Sequence, residues 1–282
     1  MNRSTKGAIV AALLAATGAG GAVASRASAD RPHDVSSRAD ERDSDDDLPD
    51  VCERRGRADA KIATAKLIIE FNATDDDIGV HGAFDDHGWS ELCVFDPSGR
   101  PLAVFDPRGR LDDLTMAGVF FESREPPEAE WSFDDLVAAF PEGRYRVKAR
   151  NFEGKYLTGS ARFTHAVPAA PEIVAPVIAE EPEAPGTPIA TDDVVVAWEP
   201  VTQTINGAAV SISGYQVIVT KEEHEDPHGF SKPTYDVHVG PDATSLSVPA
   251  DFFESGEVYE LEVLALERSG NQTISVGFFV TA

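Results

Sequence analysis

The chain has 282 residues, with 24 Lys and Arg against 49 Asp and Glu, giving a formal net charge of −25. Such an acid excess repels nucleic-acid phosphates and anionic lipid headgroups, which sets aside nucleic-acid binding and an electrostatic hold on membranes. It permits basic partners and divalent cations, and it keeps a protein soluble in a salty or crowded medium.

The first 29 residues read as an export leader. Arg3 and Lys6 form a basic start, Gly7 to Ala24 is an uncharged run, and Ala27-Ser28-Ala29 is a small-x-small cleavage signal that makes Asp30 the mature N-terminus. Ala22-Val23-Ala24 is a second cleavage site, and an uncleaved anchor is the alternative. Losing the leader removes three positive charges and takes the net from −25 to −28. No cysteine follows the apolar run and no twin arginine precedes it, so a soluble product in the periplasm or outside the cell is expected, with no membrane insertion after cleavage. Residues 30–57 form an acidic segment whose first stretch, Asp30 to Asp50, holds nine acids and three arginines. It has too few apolar side chains to offset the entropy of ordering and reads as a tether.

Cys52 and Cys93 are the two cysteines. An even count in an exported chain points to a bridge that staples the segment before the first strand onto the first domain. An unpaired, buried Cys93 thiol is the alternative.

Residues 58–166 read as a first β domain. Strands are expected at Lys66–Asn72, Trp89–Phe95, Pro101–Phe105, Met116–Phe121, Arg144–Arg150 and Lys155–Thr164. Asp96-Pro97-Ser98-Gly99 and Asp106-Pro107-Arg108-Gly109 carry turn chemistry. Ser132–Phe140 is a short helix: Ser132 caps it, Asp134 and Asp135 favour its first turn, and Pro141 stops it. A proline-rich lead-in, with Pro171–Ile178 as an edge strand, opens the second domain at 167–282.

In that second domain, Val194-Val-Val-Ala-Trp198, Ser213-Gly-Tyr215-Gln-Val-Ile-Val219 and Tyr259-Glu-Leu-Glu-Val-Leu-Ala-Leu-Glu267, after Phe252-Phe-Glu-Ser-Gly256, resemble strands of the fibronectin type III family. Phe140-Pro-Glu-Gly-Arg-Tyr145 parallels Phe253-Glu-Ser-Gly-Glu-Val-Tyr259-Glu, and in immunoglobulin-like folds such a tyrosine marks a strand corner. The expected fold class is therefore all-β: two tandem immunoglobulin-like sandwiches, the first with a short helical insertion. Asn72-Ala-Thr-Asp-Asp-Asp-Ile-Gly79, Phe120-Phe-Glu-Ser-Arg-Glu-Pro126 and Phe140-Pro-Glu-Gly143 also resemble an uncharacterised family of exported bacterial proteins, which brings no activity with it.

The fibronectin type III resemblance implies a non-catalytic module that binds a protein or glycan, or acts as a spacer. End loops at 74–88 and 222–232 are the expected contact surfaces, with Phe84 and Phe230 as aromatic candidates and Trp89 and Trp198 as core. No cofactor is implied, with calcium as the exception to test: Asn72, Asp75, Asp77 and Asp85 crowd oxygen ligands into what reads as one loop, without EF-hand spacing. A calcium-dependent structural protein is thus the first alternative. His81 with His87, and His224 with His228, are weaker transition-metal candidates. No nucleophile elbow and no zinc-protease helix is present. Glu122, Glu125, Glu128 and Glu130 near Trp131 carry the second alternative, an exported carbohydrate-active enzyme with a carboxylate pair.

Overall fold

The structure, a computed structural model, describes residues 48–192, 194–224 and 232–282. The expected leader, its cleavage sites and most of the acidic segment lie outside the described residues, as do Phe230 and His228.

In the first domain a short helix, α1 (Asp50–Glu53), precedes β1 (Ala60–Lys61), β2 (Thr64–Asn72), β3 (Asp77–Phe95), β4 (Pro101–Phe105), α2 (Arg110–Leu114), β5 (Met116–Glu122), α3 (Phe133–Ala139), β6 (Gly143–Asn151) and β7 (Tyr156–Phe163). The 19-residue β3 organises it. Its first half pairs with β2 and β5, and its second half with β4 and β6, with register shifts between Asp85 and Trp89. Gly88 sits at this shift with φ +149°, a conformation open mainly to glycine. A bulge of this kind bends a strand and lets it serve two sheets, so the domain folds over its own corner strand.

Period-two alternation decides what that fold encloses. Leu67, Ile69, Ile78, Val80, Tyr145 and Phe163 fill one half of the core with Leu136 of α3, and Phe84, Trp89, Leu92, Val94 and Val147 fill the other. Ser132 caps α3 reciprocally: its hydroxyl accepts from Asp135 N–H at 3.1 Å, and Asp135 Oδ2 accepts from Ser132 N–H at 3.0 Å. Cys52 and Cys93 are disulfide-bonded with a Cα separation of 5.6 Å, pinning α1 against β3.

The second domain comprises β8 (Ile173–Ala175), β9 (Val195–Trp198), β10 (Ile212–Lys221), β11 (Thr234–Val239), β12 (Ser245–Ser247), β13 (Val258–Glu267) and β14 (Gln272–Val280). A three-stranded sheet, β12-β9-β8, faces the four strands β14-β13-β10-β11. This is a β-sandwich of two facing antiparallel sheets. Trp198, Tyr215, Tyr259, Leu261, Val263 and Phe279 are buried between the sheets, and the Trp198 and Tyr215 rings lie 5.3 Å apart. Both corner tyrosines hold the backbone just upstream: Tyr145 donates to Pro141 O at 3.1 Å, and the Tyr259 hydroxyl accepts from Glu254 N–H at 2.8 Å.

The two domains share one sheet. β14 runs parallel to β2, with Gln272, Thr273 and Ile274 paired to Glu70, Phe71 and Asn72. Asn271, fully buried, accepts from Ile69 N–H at 2.9 Å and donates to Thr164 O at 2.8 Å, with further contacts to Thr164 Oγ1 and Ala166 O. Thr273 and Ser275 donate to Pro168 O and Pro171 O at 2.6 and 2.7 Å, so the proline-rich connection is tied down as it crosses the junction.

Two expectations are corrected by this architecture. The stretch 74–88 is mostly strand, because the acids occupy only a short turn at 73–76 before β3 begins at Asp77. Phe84 is 1% exposed and is not a contact residue, since it falls on the same inward face of β3 as Val80 and packs with Phe105 and Phe121.

Candidate functional site

The most unusual chemistry lies on the face of the shared sheet that points away from the first domain's core. Glu70 stands in β2 where its neighbours Ile69 and Phe71 turn inward. His81 stands opposite Ile68 on β3, and Glu122 of β5 is the cross-strand partner of His81. Glu125 follows in the segment after β5. It can lie flat on the sheet because residue 79 is glycine: a Cβ there would approach the Glu125 Cγ at 2.6 Å and Oε1 at 2.8 Å.

These positions bring two carboxylates onto one imidazole. His81 Nε2 is 2.8 Å from Glu125 Oε1, and His81 Nδ1 is 3.6 Å from Glu70 Oε2. His81 is fully buried, and the side chains of Glu70 and Glu125 are 5% and 11% exposed. Gln272 Nε2 of the second sandwich donates to Glu70 Oε2, so the cluster sits at the junction between domains. One ligand atom from each of Glu70, His81 and Glu125 lies within 4.8 Å of the others. The Nδ1 of His81 is buried and has no hydrogen-bond partner among the described residues.

Burial raises the Glu70 carboxyl to about 7; His81 pulls it down to some extent, and Glu125 adds to the rise. Asp77, at the start of β3, is also pushed up to about 7, by burial first and then by Glu125, Asp75 and Asp76. Glu122 is raised by burial and by Glu125. Burial alone would lower His81, but its hydrogen bond to Glu125 and the charges of Glu70 and its neighbours outweigh that and raise it. No described lysine or arginine forms an ion pair with these four carboxylates.

The expected calcium ligands are placed differently. Asn72 donates to Asp75 Oδ2 at 3.0 Å and its own oxygen accepts from Thr74 N–H, an Asx turn, with Asp77 paired to Asn72 across the hairpin. Asp85 is eight residues further along β3, paired with Thr64, which puts about 26 Å of extended strand between it and Asp77. Asp85 therefore drops out of any single ion site with the other three. His87 stands at the bulge of β3, away from His81. Glu128 and Glu130 are used locally, Glu128 accepting from Phe133 N–H and Glu130 pairing with Arg124.

A surface groove of about 680 Å³ opens at the bulge end of the first domain, lined by His87, Leu114, Thr115, Arg150, Asn151 and Phe152 among others. Leu114 and Phe152 are 78% and 59% exposed there. Gly88 makes the groove possible, since a Cβ at 88 would meet the Phe152 ring at 2.9 Å.

Sequence reasoning did not single out Glu70, Leu114 or Phe152. Glu70 had a signal, a lone charge inside the apolar run Leu67-Ile-Ile-Glu-Phe71, where a buried strand calls for a partner.

No family model matches the chain, and no curated protein is significantly similar to it. Among solved structures it is similar to chicken CNTN1 FN1-FN3 domains, with 15% identity and a TM-score of 0.31 over 79% of this chain and 64% of that one. It is also similar to a tetra-tandem repeat in the extending region of a large adhesion protein, with 15% identity and a TM-score of 0.26 over 78% of this chain and 50% of that one. The chain thus spans less than two thirds of the length of either structure.

Proposed function

We propose that this protein is an exported, non-catalytic module that holds a recognition surface for a protein or glycan on a stiff, two-sandwich support. The observation that carries the reading is the groove at Leu114 and Phe152: Leu114 ends α2 and Phe152 opens the turn after β6, exposed apolar side chains beside a polar rim of His87, Arg150 and Asn151 that β3 and β6 carry. The shared sheet supports the spacer role, because strand pairing across the junction fixes one sandwich relative to the other. The disulfide fits an oxidising compartment. Among the described residues no helix is long and apolar enough to cross a membrane.

The test is partner capture and glycan binding with the chain from Asp30, compared with Phe152→Ala and Leu114→Ala. The reading predicts a partner whose binding falls at least tenfold in both variants while their melting temperatures hold. Retained binding in both would move the recognition surface elsewhere.

A calcium-dependent structural role is the second reading, favoured by the turn at 72–77, where Asp77 Oδ1 is buried without a hydrogen-bond partner among the described residues, beside Asp75 and Asp76. Melting in calcium, magnesium and EDTA tests it: a calcium-specific rise lost in Asp75→Asn supports it, and equal melting in all three removes it.

A further inference from the structure

We propose that Glu70, His81 and Glu125 form a binding site for a divalent transition-metal ion of the zinc type, at the seam between the two sandwiches. This site is distinct from the acid turn at 72–77 and from the groove at Phe152.

Four observations carry the inference. The first is ligand chemistry: one imidazole and two carboxylates are a donor set that zinc and its first-row neighbours accept, whereas calcium takes six to eight oxygens and does not favour an imidazole. The second is spacing. Ligands about 2.0–2.2 Å from a tetrahedral zinc stand about 3.4 Å from one another. The His81 Nδ1 to Glu70 Oε2 separation of 3.6 Å is too long for a hydrogen bond and close to that edge. One ligand atom from each of the three side chains lies within 4.8 Å of the others, so the farthest pair would close by up to about 1.4 Å, and Glu125, now hydrogen-bonded to His81 Nε2 at 2.8 Å, would turn from that nitrogen to the ion.

The third observation is the unsatisfied nitrogen. His81 is wholly buried, its Nδ1 faces Glu70, and it has no hydrogen-bond partner among the described residues. Buried polar atoms are nearly always paired, and a cation between this nitrogen and the Glu70 carboxylate 3.6 Å away would satisfy both. The fourth is charge. Glu70, Glu122 and Glu125 surround one imidazole, and none of them forms an ion pair with a described lysine or arginine. A proton on His81 offsets one negative charge, whereas a divalent ion offsets two. Buried carboxylates without counter-charge are costly unless they are paired or bound to metal.

The surroundings complete the site. Gln272 holds Glu70 from the second sandwich, as outer partners of metal ligands do. Gly79 provides the space in which Glu125 reaches inward. Glu125, the least buried of the three, is the route of entry.

The experiment is isothermal titration of the EDTA-stripped full chain with zinc chloride, and separately with cobalt, calcium and magnesium chlorides, with melting curves in each ion. The expected result is one zinc per chain, a cobalt complex with visible absorption, a rise in melting temperature with both ions, and no such response to calcium or magnesium. Glu125→Gln and His81→Gln should each weaken zinc binding at least about tenfold. Asp112→Asn, in the distant groove, should leave it unchanged. If His81→Gln fails to fold, Glu125→Gln and Gly79→Ala decide the matter, since the latter displaces Glu125 without altering a ligand. Absence of zinc and cobalt binding in the folded wild-type chain overturns the proposal. So does zinc affinity that survives both Glu125→Gln and Gly79→Ala, or a calcium response equal to that of zinc.

Discussion

Replacing Asn271 with alanine tests how the two sandwiches are held. The Asn271 side chain accepts from Ile69 N–H and donates to Thr164 O, Thr164 Oγ1 and Ala166 O, all within a fully buried site. Alanine strands the Ile69 N–H, a buried donor on β2, at about 1–3 kcal/mol. The carbonyls of Thr164 and Ala166 lose a shared donor, worth about 1 kcal/mol more. The total, about 3 kcal/mol, is a large share of the 5–15 kcal/mol that holds a typical domain folded. Asn271→Asp should be no better: it keeps the acceptor for Ile69 but brings a carboxylate against two carbonyl oxygens. Urea unfolding of wild type and both variants gives the magnitude, and limited proteolysis between Ala166 and Glu172 reports whether the connection has come loose. The expected outcome is a midpoint shift equivalent to about 3 kcal/mol with faster cleavage in that segment. A loss below 1 kcal/mol with unchanged cleavage would refute the reasoning and show that the β2–β14 pairing alone holds the junction.

Reduction of the Cys52–Cys93 bridge opens a separation of 41 residues and should cost about 4 kcal/mol on the chain-entropy model, read as the difference between urea midpoints with and without reductant; the double serine variant should match the reduced protein. Glu262, on β13, is buried, raised well above its usual range by burial and by Glu260, Glu70 and Asp236, and has an oxygen with no hydrogen-bond partner among the described residues. Its folded form holds a proton that the unfolded chain releases near pH 4.5, so stability should fall as pH rises from about 4.5 toward 7. Glu260, raised to about 7 by burial and Glu222, acts in the same direction. Glu262→Gln should therefore be stabilising at pH 7 and near neutral at pH 4.5; equal effects at both pH values would contradict this. Gly88→Ala forces an L residue to φ +149° and drives a methyl into the Phe152 ring, and should lower the melting temperature by several degrees, an expectation that an unchanged melt would remove.

Much of the fold was legible because its signals are local. Tyr145-Arg-Val-Lys-Ala149 and Tyr259-Glu-Leu-Glu-Val263 alternate at period two and carry their corner tyrosines, and Ser132 announces the helix that it caps. The length of β3 was hidden, because Asp85-Asp86-His87-Gly88 has turn chemistry but makes a bulge inside a continuing strand. Phe84 sits in register with Ile78 and Val80, an alternation that the neighbouring acids obscured. The cluster at His81 was not legible: it depends on two hairpin registers, on the space left by Gly79 and on Gln272, 202 residues from the Glu70 it touches. Pairing of β2 with β14 leaves no trace in either strand's pattern.

That pairing has a mechanical consequence. β2 and β14 are parallel and overlap only where Glu70–Asn72 meets Gln272–Ile274, so the two strands form a staggered splice. Tension between Thr64 and Val280 loads the splice along the strand axis, and its hydrogen bonds, with those of Asn271, resist together as a shear clamp. The same bonds would break singly, each in turn, if the sandwiches were peeled sideways. A junction made this way resists a pull along β2 and β14 better than a sideways peel.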